Sequence, residues 1–333
     1  MKAIGYTLAG NADVLREFSI EKPVPGPRDL LISVKAVSVN PVDYKIRASV
    51  TPEPGEMKVL GYDGAGIVEA VGADVTLFKP GDEVYYCGLH TRQGSNAEYQ
   101  LVDERITGKK PSTLSFAEAA ALPLTSLTAW ELLFDRLRLP CGLKSQPGTL
   151  LVINGAGGVG SILIQLARRL TGLTIIATAS RTASTAWVRD MGAHHVINHH
   201  EPLAQQIRSL GIDEVQYVAG LRGTLRQIEE IAEIIAPQGH LSLIDDGAFD
   251  IGPLKPKSVA VTWEMVFTRP LYATKDMIVQ HQILDEVASL VDAGVLKTTL
   301  TTHMGKLSAE TLRKAHQHVA SSSMIGKVAL DGI

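Results

Sequence analysis

Short apolar runs bounded by glycine, proline and charge recur along this chain. In its middle part they alternate with stretches whose apolar positions return at helical spacing. Leu150-Leu151-Val152-Ile153 is short and partly β-branched, which predicts a strand buried on both faces. Over 161–170, Ile162, Leu163, Leu166 and Ala167 form an apolar stripe with Gln165, Arg168 and Arg169 off it, which predicts a helix. A second strand is expected over 173–177. Helices near 185–191, 203–210 and 224–235 then alternate with strands over 195–198, 215–218 and 240–244. Such alternation means a parallel sheet covered by helices on both faces.

The first part of the chain is patterned differently. Strands are expected over 2–6, 30–39, 61–71, 81–86 and 97–102, separated by turn-rich segments such as Lys79-Pro80-Gly81-Asp82. No strong helical period precedes Ser115, and short strands spaced by turns predict a partly open β-barrel. Ser115-Phe116-Ala117-Glu118 is a capping box followed by alanines; Pro123 then interrupts, and a further helix is expected over 125–137. Beyond Asp245 the prolines at 253, 256 and 270 loosen the pattern. A helix over 277–293, a strand over 298–302, a helix over 308–320 and a strand over 325–330 are expected to rejoin the barrel. The fold class is thus α/β, with a barrel part at 1–124, a nucleotide-binding part at 125–270 and a return at 271–333.

Between the strand over 150–153 and the helix over 161–170 lies Gly155-Ala156-Gly157-Gly158-Val159-Gly160, which satisfies G-x-G-x-x-G in the strand–turn–helix–strand context of a dinucleotide-binding unit. Gly155 permits the tight turn, Gly157 lets the backbone approach a pyrophosphate, and Gly160 lets the helix pack close to the strand. The free N–H groups of the helix start then face the phosphate charge. An NAD site would place Asp or Glu about twenty residues beyond the glycines. Here Thr178-Ala179-Ser180-Arg181 stands there, with no carboxylate before Asp190. Ser180 and Arg181 suit a 2′-phosphate, each charge-assisted hydrogen bond contributing about 1.5–3 kcal/mol, so NADPH is the expected cofactor. Ile244, ending a strand of the same sheet, joins the expected cofactor-binding residues.

Composition narrows the classes. The chain has 333 residues, 45% of them hydrophobic and 20% charged, as globular enzymes do. A formal net charge of −3 gives no general attraction to nucleic acid or to an anionic membrane. No apolar run reaches membrane-spanning length, and the N-terminal stretch lacks the apolar centre of a secretory signal. Cys87 and Cys141 are too few for a disulfide scaffold and suit a reducing, cytoplasmic setting. The pairs His194-His195 and His199-His200 flank a strand of the nucleotide-binding part and are expected to be surface residues.

Several segments together resemble the medium-chain dehydrogenase/reductase superfamily. They are Ser38-Val39-Asn40-Pro41-Val42-Asp43-Tyr44-Lys45-Ile46-Arg47, Leu60-Gly61-Tyr62-Asp63-Gly64-Ala65-Gly66, Pro80-Gly81-Asp82-Glu83-Val84, Leu124-Thr125-Ser126-Leu127-Thr128-Ala129-Trp130, the glycine turn, and Ile325-Gly326-Lys327-Val328. The resemblance is to its quinone oxidoreductase branch, and especially to bacterial zinc-type alcohol dehydrogenase-like proteins. It implies a GroES-like catalytic domain built from both ends of the chain, a Rossmann domain between them, an active site in the cleft and a homodimer. Where the zinc enzymes of the superfamily carry a Cys, a His and a later ligand, this chain has Asn40, Tyr62 and the neighbourhood of Pro123-Leu124, none a good zinc ligand. Two cysteines also cannot form a four-cysteine structural site. No metal is expected.

Without a Lewis acid, reduction of an activated acceptor is the easier chemistry. The expected activity is NADPH-dependent hydride transfer to a quinone or an α,β-unsaturated carbonyl, with a hydrogen-bond donor for the developing oxyanion. Tyr62 or Tyr44 is the expected donor, with Asn40 and Thr125 orienting substrate or nicotinamide and Asp43 holding local structure. Lys327 is placed to reach the cofactor phosphate, and Trp263, Met265 and Phe267 line the pocket or pack at a dimer interface. Two other readings stand beside this one. One is an alcohol or aldehyde dehydrogenase with an unrecognised zinc. The other is a non-enzymatic NADPH-binding protein of the zeta-crystallin type.

Overall fold

The structure is a computed structural model that describes residues 1–142, 147–321 and 323–333. The chain divides into two compact units, one of Met1–Leu127 with Phe267–Ile333 and the other of Thr128–Val266.

The first unit opens with β1 (Lys2–Tyr6), β2 (Arg16–Ser19), β3 (Asp29–Val39), α1 (Pro41–Ser49), β4 (Lys58–Val59), β5 (Asp63–Val71), β6 (Glu83–Cys87), β7 (Tyr99–Asp103) and β8 (Thr107–Lys109). Next come α2 (Phe116–Ala120) and α3 (Pro123–Trp130). The sequence pattern missed α1, because its apolar residues are too sparse to set up a period. Its signal is in the caps instead: Pro41 sits in the first turn, where its missing N–H costs nothing, and Asp43 accepts a hydrogen bond from the Asn40 backbone N–H at 2.7 Å. Pro123 likewise opens α3 rather than interrupting it. The expected capping box at Ser115 is present, with Glu118 accepting from both the backbone N–H and the hydroxyl of Ser115.

In the second unit, β9 (Thr149–Ile153), α4 (Gly158–Leu170), β10 (Thr174–Thr178), α5 (Thr182–Asp190), β11 (His195–Ile197), α6 (Leu203–Ser209), β12 (Val215–Gly220), α7 (Ile228–Ile234), β13 (Ile235–Leu243) and β14 (Ala260–Trp263) follow one another. The strands form one parallel sheet in the order β11-β10-β9-β12-β13-β14. This is the doubly wound order whose reversal point lies beside the first strand. Leu151, Ile153, Ile176, Val218, Leu241 and Leu243 pack with Leu203, Ile207, Ile231 and Ile234 of the helices as its core. The sixth strand, β14, falls in the proline-loosened stretch and is exposed at both ends, so no continuous apolar run announced it.

The chain then returns through α8 (Thr268–Leu271), α9 (Val279–Asp292), β15 (Leu300–Lys306), α10 (Ala309–Ala320) and β16 (Lys327–Asp331). β15 and β16 complete the first unit's larger sheet, ordered β15-β16-β3-β5-β6-β8 with β7 also on β3; β2-β1-β4 form a smaller one. The fold is therefore α/β, a GroES-like β-rich unit and a Rossmann unit, as the sequence pattern and the resemblance led one to expect. His195 lies on the edge strand β11. Among the described residues no three His, Cys, Asp or Glu side chains gather as metal ligands, and no helix is long and apolar enough to cross a membrane.

Candidate active site and cofactor site

The cofactor side is built by the β9–α4 turn. Gly160 packs against the backbone of Gly155 so tightly that an added Cβ would stand 2.3 Å from the Gly155 carbonyl oxygen. A Cβ on Gly155 would meet Ile164 at 3.0 Å and Ala177 at 3.1 Å. At Gly157 a Cβ would meet nothing within 4 Å, so this glycine, unlike Gly155 and Gly160, borders open space where a pyrophosphate can approach the backbone. Gly158 and Val159 are half-buried in the first turn of α4, whose start has no side-chain cap. One expectation needs correcting: the left-handed residue of the turn is Asn154, at φ 60°, not Gly155. Asn154 tolerates that conformation because its amide donates to the Arg222 carbonyl at 2.6 Å, while its backbone N–H donates to Thr178 Oγ1 at 2.8 Å. Gly155 is thus required for packing, not for its backbone angles.

At the end of β10, Ser180 and Arg181 are both exposed, Arg181 as the residue that starts α5. No carboxylate stands at either position. Ile244 follows β13 and is half-buried, its N–H donating to the Gly220 carbonyl at 3.0 Å. These residues all sit at the carboxyl ends of parallel strands, where open α/β sheets bind ligands. The residues fit a dinucleotide.

In the other unit, strand register brings a buried polar group together. β16 pairs with β3 through Val328 and Val39, and β3 pairs with β5 through Ser38 and Asp63. Lys327, Asn40 and Asp63 therefore stand side by side, all buried. Lys327 Nζ donates to Asn40 Oδ1 at 2.6 Å and to Asp63 Oδ2 at 2.9 Å. Asn40 Nδ2 donates to Asp63 Oδ2 at 2.7 Å, and the Leu124 N–H donates to Asp63 Oδ1 at 2.7 Å. Asp43 holds the Asn40 and Gly61 backbone N–H groups, one on each oxygen. Burial pushes its carboxyl up to about 7, against the pull of those N–H groups and of Lys327.

One expectation is overturned here. Lys327 is 1% exposed and committed to Asp63 and Asn40, so it has no reach toward a cofactor phosphate. Asn40 is buried with its Oδ1 accepting from Lys327 and one Nδ2 N–H donating to Asp63, which fixes the orientation of its amide. Thr125 is restricted too: its hydroxyl donates back to the Leu122 carbonyl at 3.1 Å. Tyr44 is half-buried on α1.

Tyr62 stands out among the expected residues. It is fully buried, yet among the described residues its hydroxyl has no hydrogen-bond partner, an arrangement that costs about 1–3 kcal/mol unless something fills it. Burial, reinforced by the Asp43 charge, pushes the phenol far above its usual range, so it can only donate as a neutral O–H. Its ring meets Phe267 edge to face at 5.6 Å, and Phe267 also packs on His90 at 4.9 Å. Phe267 is buried while Trp263 and Met265 are about half exposed, so the three do not act as one lining. Sequence reasoning missed His90, which belongs to no motif. It also passed over Asp63, which it quoted only as the neighbour of Tyr62.

The donor set does not fit a zinc ion. An amide engaged at both ends, a buried phenol and a helix-starting proline stand at the matching positions, and the cation that faces Asp63 is the Lys327 ammonium.

Comparison with known proteins agrees with this architecture. Residues 26–129 match the alcohol dehydrogenase GroES-like domain, and residues 191–330 match the zinc-binding dehydrogenase family. A zinc-type alcohol dehydrogenase-like protein of Staphylococcus aureus is 43% identical over 340 residues, covering 99% of this chain and 100% of the relative. The chloroplastic NADPH-dependent alkenal/one oxidoreductase of Arabidopsis thaliana is 41% identical over 212 residues, 60% of this chain and 52% of that protein. A crystal structure from Rhizobium etli, assigned to the zinc-dependent alcohol dehydrogenases, superposes with a TM-score of 0.95 at 50% identity, covering 100% of this chain and 98% of the other. With its two domain types, their order and near-complete alignment, the chain belongs to the medium-chain dehydrogenase/reductase superfamily, beside the zinc-type alcohol dehydrogenase-like proteins.

Proposed function

We propose that this oxidoreductase uses NADPH to reduce α,β-unsaturated carbonyls or quinones and does so without zinc. The observation that carries the reading is Tyr62, a buried phenol whose hydroxyl has no partner among the described residues, at the position that the family resemblance matches to a metal-ligating histidine of the zinc enzymes. Bound NADPH supplies a hydride to an electron-poor carbon, and the acceptor's oxygen gains the negative charge. The Tyr62 O–H is the donor for that charge, in a site dry enough to strengthen the hydrogen bond. A quinone is the same electrophile as an enone, closed into a ring, so one donor serves both. Gly155, Gly157, Gly158, Val159 and Gly160 hold the pyrophosphate, Ser180 and Arg181 the 2′-phosphate, and Ile244 borders the nicotinamide end. The likeness to the alkenal/one oxidoreductase supports both the cofactor and the acceptor class.

The test is an NADPH-oxidation screen over quinones, enones, aldehydes and alcohols, with NADH in parallel. Turnover of enones or quinones with NADPH is expected, slowed about 10²-fold or more in Tyr62→Phe with cofactor affinity unchanged. Turnover confined to alcohols and aldehydes would refute the reading.

A further inference from the structure

Phe267, which meets Tyr62, also meets a second polar side chain whose buried nitrogen has no hydrogen-bond partner among the described residues. His90 is half-buried, and its Nδ1 is fully buried with no hydrogen-bond partner among the described residues. The ring is held in place from two sides. Phe267 packs on its face at 4.9 Å, and Lys58 Nζ donates to the His90 backbone carbonyl at 2.9 Å, fixing the loop. Since Phe267 also meets Tyr62, one phenylalanine braces two side chains that each lack a partner. A cavity of about 640 Å³ in this unit is lined by Lys58 and Thr91 but not by His90.

We propose that His90 is a catalytic residue that donates a hydrogen bond from its ring N–H to the carbonyl oxygen of the acceptor, sharing that oxygen with Tyr62. The inference rests on the enone and quinone reading above. Burial first, then the Lys58 charge, holds the imidazole below the usual histidine range, so the ring is neutral at pH 7 and keeps one N–H to donate. A neutral imidazole stabilises an oxyanion without giving up its proton. The acceptor takes hydride at its β-carbon, and the C=C electron pair moves toward oxygen. Solvent then supplies the proton that completes the saturated carbonyl, and no bond to hydrogen is made or broken at His90. Two donors on one oxygen also select for acceptors whose carbonyl is unhindered.

The experiment uses the full chain with cyclohexenone and NADPH, read by single-turnover hydride transfer. It also uses the unreactive pair cyclohexanone and NADP⁺, read by ¹⁵N NMR of the histidine rings. His90→Leu is expected to slow hydride transfer about 10²–10³-fold with NADPH affinity and the thermal unfolding profile unchanged, the unfolding profile reporting an intact fold. His90→Gln, which keeps an N–H donor, recovers part of the rate, and the His90 ring signals shift when cyclohexanone binds. Wild-type rates in His90→Leu, or ring signals unmoved at saturating cyclohexanone, would overturn the assignment. A wild-type protein that reduces no enone or quinone would instead refute the parent reading, and the two failures are therefore distinct.

Discussion

Around Gly155 and Gly160 the chain keeps its shape by close packing, Gly160 on backbone and Gly155 on apolar side chains, with neutral hydrogen bonds at Asn154 and no charged group. Around Asp63 it keeps its shape by charge, with a lysine, an amide and a backbone N–H converging on one buried carboxylate. The first arrangement leaves a space open at Gly157, where a ligand can approach the backbone. The second binds its own members to one another, and the residue before Asp63 in the chain, Tyr62, has a hydroxyl with no partner among the described residues. A region whose polar groups are all satisfied is structure, however chemical its residues look. A region with space or an unpaired donor is where ligands go.

Removing one partner of the buried pair should have the largest effect. Lys327→Met leaves Asp63 charged and uncompensated, and chemical denaturation should show a loss of about 3–5 kcal/mol. Adding Asp63→Asn should return part of it. A loss below about 1 kcal/mol would mean that the cluster is solvated. Next, Arg181→Ala should weaken NADPH by about 1.5–3 kcal/mol in equilibrium titration and leave NADH nearly unchanged. Equal losses for both cofactors would remove Arg181 from the 2′-phosphate.

The glycines separate packing from binding. Gly160→Ala should destabilise the fold by about 1–3 kcal/mol, because the Gly155 carbonyl has to move. Gly157→Ala should leave thermal stability unchanged while lowering NADPH affinity, since its Cβ fills only the open space. If Gly157→Ala lowers the melting temperature and spares binding, the roles are reversed. A further check is a pH slope. Asp43 in the folded chain holds its proton to about 7, above the carboxylate range of an unfolded chain. The folded state therefore binds the extra proton between those values, and stability contributed by this group falls as pH rises to about 7. The slope is at most about 1.4 kcal/mol per pH unit. Asp43→Asn should remove this slope from the wild-type profile, and a profile unaltered by the substitution would place the carboxyl in water.

The Rossmann unit was legible in the sequence because both of its signals are local: apolar runs of strand length, and glycines at fixed offsets from them. The helix at Pro41 was not, because its cap residues carry it and its apolar period does not. Nor could the roles of Asn40 and Lys327 be read. Each is separated from its partners by tens to hundreds of residues, and only the β16–β3–β5 register shows that their polar atoms are already engaged. His90 gave no sequence signal at all. Its interest comes from an unpaired nitrogen beside Phe267, which pairing across the fold alone creates.

The claim of a phenol in place of a metal is tested most directly by metal analysis joined to activity. Protein dialysed against a chelator should contain no stoichiometric divalent ion and should oxidise NADPH with enone or quinone at the undialysed rate. One zinc per chain, lost together with activity and restored with it, would contradict the account.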